Sequence, residues 1–333
     1  MAIVKAAEHD RYGGPEQVTL REVERPVPKD DEVLVRVQVA SVNRGDLDGL
    51  LPKPQFVRLF MGLRAPRIKR IGLDAAGVVE EVGPEVTRFK VGDRVFADLL
   101  PFGAGAFAEF VCAPEKAFLP IPDGLSTEDA ATLPHSAVLA LQGLRRRKGD
   151  TIQAGETLLI DGASGNVGPF LVQIAKHMGA VVTGVASGDK LDFVRSLGAD
   201  HVIDYRTTDY TRGKERYDWI VAVDSHHSIF KMSRPLRPNG TYHTMGGTGR
   251  SILGALILGP LIGRLTGKRM GLMLWWKPFL AEDVATITRL IAEGKLRPAI
   301  DRRFPLAEVA EALLYVDDGH PLGKVLITVD SAA

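Results

Sequence analysis

Up to about residue 125, apolar residues come in short runs that alternate with polar ones, the period-two signature of strands. The runs fall at 17–23, 32–39, 75–82, 94–97 and 107–111. Gly13-Gly14-Pro15, Gly83-Pro84 and Gly92-Asp93 supply the backbone angles that the turns between them require. This part reads as an irregular β-barrel, with the basic, Pro-containing stretch 50–71 as a loop or short helix over a cleft. From about residue 127 the period changes. Compact apolar runs at 158–161, 181–186, 201–204, 219–224 and 241–245 alternate with helical stretches, the pattern of a parallel sheet with crossover helices. The clearest helix spans 169–178, where Phe170, Leu171, Ile174, Ala175 and Met178 recur at helical spacing. Helices follow at 282–293 and 306–316, and a closing strand at 323–329. The expected class is α/β, with one domain from 1–126 and 278–333 and a second from 127–277.

The 333 residues agree with two domains at roughly 150 residues each. Lys+Arg 42 against Asp+Glu 41 leaves +1, so no overall field draws the chain to nucleic acid or an anionic bilayer. No basic stripe with interleaved aromatics suggests RNA. The single cysteine, Cys112, cannot form an intrachain disulfide, a zinc ribbon or an iron–sulfur cluster, and fits a reducing compartment. Glu8, Asp10 and Arg11 interrupt any early secretory run, so a cytoplasmic protein is expected. The most apolar stretch, 252–263, contains Pro260 and falls short of the roughly twenty residues that span a bilayer. It reads as a buried helix or an interface, with a membrane-surface or docking role, helped by Trp275 and Trp276, as the lesser reading. The basic run 145–148 reads as a solvated helix end suited to the C-terminal dipole.

After the run 158–161 comes Gly162-Ala163-Ser164-Gly165-Asn166-Val167-Gly168, followed by the 169–178 helix. On the Gly-x-Gly-x-x-Gly fingerprint, Ala163, Gly165 and Gly168 take the three small positions: a tight turn, close approach to a pyrophosphate, and helix-on-strand packing. The helix N-terminus offers unpaired N–H groups to phosphates. NAD enzymes usually place an acid after the second strand, whereas this chain has Ser187-Gly188-Asp189-Lys190. Ser187 can hydrogen-bond a 2′-phosphate and Lys190 can neutralise it, while Asp189 could still serve NAD. NADPH is favoured over NADH.

These residues resemble the zinc-independent quinone oxidoreductase branch of the medium-chain dehydrogenase/reductase superfamily. The resemblance rests on the 40–46 segment ending Asn43-Arg44-Gly45-Asp46, the 72–79 segment beginning Gly72-Leu73-Asp74, Val91-Gly92-Asp93-Arg94-Val95, the 162–168 loop, the 197–205 segment ending Asp204-Tyr205, and Gly323-Lys324-Val325. It implies a GroES-like catalytic domain interrupted by a Rossmann domain, an active site in the cleft between them, and a homodimer through the Rossmann domains. It places Lys190 and Tyr205 at the adenosine 2′-phosphate and Asn43 near the nicotinamide. Further cofactor contacts fall on Asp224, Ser225 and His226, on Met245, Gly246 and Gly247, and on Lys324.

In zinc-dependent members a Cys, a His-Glu pair and a further Cys or Asp serve the metal; the corresponding places here are Asn43, Leu73-Asp74 and, approximately, His135. No zinc is expected. Without a Lewis acid to make an alkoxide, reduction of an already polarised acceptor is the easier chemistry. The reading is hydride transfer from NADPH to a quinone or an α,β-unsaturated carbonyl. The alternatives are a metal-free carbonyl or aldehyde reductase, or an NADPH-bound interaction or redox-sensing protein without turnover. The Tyr that several zinc-free relatives carry after the Asn segment is absent. His135 is then a candidate proton donor or a satisfied structural histidine, and Asp46 a structural acceptor.

Overall fold

The computed structural model describes residues 2–52, 58–146 and 149–329; positions 53–57 of the 50–71 segment and 147–148 of the basic run lie outside them. The described residues form two compact units. One comprises Met1–Val138, Pro278–Ala292 and Ile300–Ala333, the other Leu139–Lys277 and Glu293–Ala299. The first unit thus runs past 126, because the helix Thr127–Thr132 packs on the strands Glu32–Val42, Asp74–Val82, Arg94–Asp98 and Lys324–Thr328. The segment 293–299 goes with the second unit, where the Arg297 amide donates to Gln173 Oε1 and the Gln173 side-chain amide donates back to the Arg297 carbonyl.

The first unit is organised by the long strand Glu32–Val42, whose Val33, Leu34, Val35, Val37, Ala40 and Val42 are buried. It pairs antiparallel with Asp74–Val82, Phe110–Pro114 and Lys324–Thr328. Among the described residues this sheet has seven strands. The expected strand at 107–111 is displaced to Phe110–Pro114, since 107–109 hydrogen-bonds instead along the first strand, Ile3–Glu8. The registers set Ser41 opposite Asp74, Asp74 opposite Asp98, and Val42 opposite Val325. One end of four neighbouring strands therefore carries a polar or charged residue on each.

Among the described residues of the second unit, six parallel strands lie in the order His201–Asp204, Val181–Ala186, Thr157–Asp161, Tyr217–Ala222, Leu236–Thr244 and Arg269–Leu272. Leu158, Leu159 and Ile160 are all buried, as a parallel strand covered on both faces demands. Chain order reverses between the strands Thr157–Asp161 and Tyr217–Ala222, and open sheets of this kind bind ligands at the carboxyl ends of strands at such a switch point.

One sequence expectation fails here, and of the two readings of 252–263, a buried helix or an interface, the first fails too. Arg146 is no solvated helix end: its guanidinium lies 4.4 Å over the Trp219 ring and pairs with Glu156 at 3.3 Å. The 252–263 stretch is helical but not buried, with Leu256, Ile257, Leu258 and Leu261 exposed.

Candidate functional site

The strand Thr157–Asp161 leads through the glycine-rich turn into the helix Gly168–His177. The tight turn falls on Gly162, at φ +91°, not on Ala163. Ala163 is buried and its amide donates to the Val185 carbonyl at 3.0 Å, which fastens the turn to the next strand. At Gly168 a Cβ would stand 2.3 Å from the Gly162 carbonyl oxygen and 2.4 Å from the Ala163 carbonyl carbon, so helix and turn pack backbone to backbone. A Cβ at Gly165 would meet nothing nearer than 3.9 Å. That open space beside a helix N-terminus is what a pyrophosphate needs, and the loop fits a dinucleotide.

Across the switch point, Ser225 and Gly247 form a parallel bridge, and the Ser225 amide donates to the Gly246 carbonyl at 3.1 Å. The segments 224–226 and 245–247 named from the sequence are thus neighbours. His226 Nε2 lies 3.4 Å from Asp224 Oδ2. Sequence reasoning missed Asp161 at the strand end. Its carboxylate accepts from the Tyr210 hydroxyl at 2.8 Å, and burial pushes its pKa up to about 6.

At the ends of the next two strands, Asp204 lies opposite Ala186 and the Tyr205 amide donates to the Ala186 carbonyl at 3.2 Å, which brings Ser187 and Tyr205 side by side. Ser187 and Lys190 are buried, while Tyr205 is 55 % exposed. Arg206 had no place in the sequence reading. It reaches Asp189 Oδ1 at 3.2 Å and stands 6.0 Å over the Tyr205 ring. Hydrogen bonding from Ser187, with the Arg206 and Lys190 charges, holds the Asp189 carboxyl below its ordinary value. Lys190→Ala is expected to raise KM for NADPH about tenfold, and Arg206→Ala about threefold, with KM for NADH nearly unchanged. Steady-state kinetics with the two cofactors checks this, and an equal rise for both would remove the 2′-phosphate assignment.

In the first unit, the polar ends of the four strands meet in one buried network. Lys324 Nζ donates to Asn43 Oδ1 at 2.7 Å and to the Ser136 hydroxyl at 3.1 Å, and lies 3.6 Å from Asp74 Oδ2. That same carboxylate oxygen accepts from Asn43 Nδ2 at 2.9 Å and from the Ser41 hydroxyl at 3.0 Å. Asp74 Oδ1 accepts the His135 amide at 3.1 Å, and His135 Nδ1 is 3.0 Å from Asp98 Oδ2. The Asn43 amide donates to Asp46 Oδ2 at 2.7 Å, leaving Asp46 Oδ1 buried without a partner among the described residues.

Burial raises the pKa of Asp74 and lowers that of Lys324, and the attraction between them opposes both shifts. For His135, burial lowers the pKa, but the Asp98 hydrogen bond and the Asp98 and Asp74 charges outweigh it, so the imidazole titrates above its ordinary value. Asn43 and Lys324 are both almost wholly buried, and the Lys324 ammonium is committed to its neighbours. Through these bonds Lys324 holds the Asn43 and Ser136 side chains in place.

Burial pushes Asp46 up to about 7. Between about pH 4, where the unfolded carboxyl ionises, and about pH 7, the folded state keeps a proton that the unfolded state has lost, so stability falls as pH rises. Asp46→Asn removes this term. Its advantage over the parent is expected to grow by about 2–3 kcal/mol from pH 5 to pH 8. Urea midpoints at the two pH values measure it, and a variant less stable at pH 8 would overturn this assignment.

The donor set does not fit zinc. Leu73 offers hydrocarbon, the Asn43 carbonyl is taken by Lys324 and Ser136, and Asp74 already faces an ammonium. Among the described residues no three His, Cys, Asp or Glu side chains are grouped to hold a metal ion. Nor is any helix among them long and apolar enough to cross a membrane.

Comparison with known proteins agrees with both units. Residues 29–123 match the alcohol dehydrogenase GroES-like domain, and residues 197–327 match a family described as zinc-binding dehydrogenase. The chain is 32 % identical over 336 residues to the chloroplastic quinone-oxidoreductase QR1 of Triphysaria versicolor, covering 98 % of each. It is 29 % identical over 335 residues to the chloroplastic NADPH-dependent alkenal/one oxidoreductase of Arabidopsis thaliana, covering 97 % of this chain and 79 % of that one. Among solved structures it superposes on the quinone oxidoreductase from Coxiella burnetii with a TM-score of 0.85, at 26 % identity, covering 99 % of this chain and 100 % of the other.

Proposed function

The chain belongs to the medium-chain dehydrogenase/reductase superfamily and is an NAD(P)H-dependent oxidoreductase of the quinone oxidoreductase kind, and from that premise we propose that it reduces quinones or α,β-unsaturated carbonyls with NADPH and without a metal ion. The observation that carries this reading is the buried ammonium of Lys324, bonded to Asn43 and Ser136 beside Asp74, in the place where zinc-dependent members keep metal donors. Such a network has nothing that would lower the pKa of a bound alcohol toward neutrality, as a zinc ion does. It suits an acceptor whose carbon is already electron-poor.

A bound reduced nicotinamide supplies the hydride, and the protein supplies orientation and the proton balance. The turn from Gly162 to Gly168 takes the pyrophosphate. Ser187, Lys190, Tyr205 and Arg206 select the 2′-phosphate. The acceptor gains two electrons and one proton with the hydride and needs one further proton to complete the reduction. His135 is suited to give it, because Asp98 fixes Nδ1 and the two neighbouring aspartates keep the ring protonated above its ordinary pKa. Water serves as the alternative donor.

The test is the initial rate of NADPH oxidation by chelator-treated protein on a quinone, an enone and a saturated ketone, with NADH as control. Fast turnover of the quinone or enone with NADPH is expected. Activity abolished by the chelator, or confined to the saturated ketone, would overturn the reading.

A further inference from the structure

In the first unit, the basic segment after residue 50 carries charge that its surroundings only partly neutralise. Between Asp48 and Asp74 the chain has six Lys or Arg and no Asp or Glu. Lys69 pairs with Asp10 at 2.9 Å and Arg70 with Glu8 at 3.8 Å. Arg58, Arg64 and Arg67 meet no carboxylate among the described residues, and neither does Arg11, on the strap that the His9 amide ties to the Lys69 carbonyl. The fold gathers these four. The Tyr12 hydroxyl donates to the Gly62 carbonyl at 2.7 Å, and the Arg58 guanidinium lies 4.6 Å over the Tyr12 ring. Arg58 Nε is buried without a hydrogen-bond partner among the described residues. Gly62, at φ +119°, turns the chain back, so that the Arg67 amide donates to the Met61 carbonyl at 2.9 Å. Guanidinium groups collected in this way repel one another, and an oxyanion among them would convert the repulsion into binding.

The place of the cluster narrows what the anion belongs to. The chain leaves the buried network at Asn43 through the helix Arg44–Leu50 and re-enters it at Asp74, although Asn43 Nδ2 and Asp74 Oδ2 are only 2.9 Å apart. The basic segment is thus one excursion from the network, fastened at the helix end by the Gly13 amide, which donates to the Leu50 carbonyl at 3.1 Å. Seven helical residues rise about 10 Å, so the excursion starts at about that distance from Asn43. Leu59, Leu63 and Ile68 lie among the arginines and are 59 %, 68 % and 53 % exposed. Apolar side chains interleaved with guanidinium groups suit an alkyl arm that ends in an oxyanion. In the proposed reading the phosphates of the dinucleotide lie on the second unit, which leaves the acceptor as the molecule that brings this charge.

We propose that Arg11, Arg58, Arg64 and Arg67 bind a carboxylate or phosphate at the end of the acceptor's tail, so that the preferred acceptors are enones with an acidic arm about 10 Å long. This rests on the reading that the chain reduces α,β-unsaturated carbonyls, and adds to it the charge and reach of the acceptor. Three long-chain enones, alike but for a terminal carboxylate, phosphate or methyl ester, are to be compared at saturating NADPH with a short-chain enone acid. KM for the long-chain acid is expected about tenfold below that for its ester, the gap closing in high salt, whereas the short acid should show no preference over its own ester. Whichever of carboxylate and phosphate has the lower KM identifies the tail as a free acid or a phosphorylated arm. Arg64→Glu with Arg67→Glu should raise the ratio of acid to ester KM about tenfold, and because both residues are exposed the melting temperature should not change. Calorimetric titration with the saturated acid and ester, which lack the reacting double bond, should show the same discrimination and the same loss. That binding needs no turnover, so failure of every enone to react would overturn the activity reading alone. Equal affinity for acid and ester, or a double variant that discriminates like the parent, would overturn this inference. So would binding to anionic vesicles that the double variant loses, in a protein with no preference for acid over ester, which would assign the arginines to a bilayer.

Discussion

Lys324→Met is expected to lower stability by about 3–5 kcal/mol at pH 8, the range for removing one partner of a buried ion pair. The reason lies in what is left behind. Asp74 is fully buried, and its hydrogen bonds from Ser41, Asn43 and the His135 amide favour a carboxylate, yet the only ammonium in contact with it among the described residues would be gone. Burial already raises the pKa of Asp74, and loss of the ammonium raises it further. The deficit should therefore narrow as pH falls and the carboxyl takes up a proton, and should be widest in mildly alkaline buffer. Adding Asp74→Asn to Lys324→Met removes the orphaned charge and should recover most of the loss. Urea midpoints at pH 5 and pH 8 for parent, single and double variants decide it. A single variant as stable as the parent at pH 8 would mean that the ammonium does not compensate Asp74.

The second large effect separates two glycines of one loop. Gly168→Ala forces a methyl group to within 2.4 Å of two backbone atoms, neither of which can move without shifting the turn, so both thermal stability and dinucleotide binding should fall. Gly165→Asp has room to fold as the parent does, because nothing lies within 3.9 Å of the added carbon. Its carboxylate would stand where the proposed reading puts the pyrophosphate, and affinity for NADPH is expected to drop on the order of a hundredfold, roughly 2.7 kcal/mol, at an unchanged melting temperature. Titration calorimetry beside thermal melts distinguishes the two. If Gly165→Asp binds NADPH as tightly as the parent, the pyrophosphate does not sit on this loop.

Much of the fold was legible in the sequence because its central strands are apolar and bounded by turns. The strand Val181–Ala186 and the strand His201–Asp204 match their expected limits. What escaped lies mostly at sheet edges. The strand Ile300–Pro305 carries Asp301, Arg302 and Arg303, charges that guard an edge and hide its period. The four-residue strand Arg269–Leu272 ends the other sheet, too short for a periodic signal. In the strand Leu236–Thr244, Pro238-Asn239-Gly240 reads as a turn, but the structure makes it an irregularity within the strand, with Asn239 at φ +62°. The glycine-rich turn from Gly162 to Gly168 could be read because its pattern lies in consecutive residues. The buried network could be read only in part. Asn43, His135 and Lys324 stood out by resemblance, whereas Ser41 and Asp98 are ordinary polar residues in sequence that acquire a role through strand register, and Ser136 acquires one at the start of the helix Ser136–Gly143. Arg206 escaped for the same reason, since its partner Asp189 is reached across neighbouring strands.

The bond from Lys324 to Asn43 joins residues 281 positions apart. On a ribosome, the strand Glu32–Val42 is complete long before Lys324–Thr328 has been translated, so its 39–42 end waits with an unpaired edge while the whole second unit is synthesised. An exposed apolar edge of this kind is where a nascent chain associates with its neighbours. Residues 324–328 thus close the first unit only after the second has been made, and chains truncated before residue 324 should accumulate with chaperones or in inclusion bodies, however well their second unit has folded.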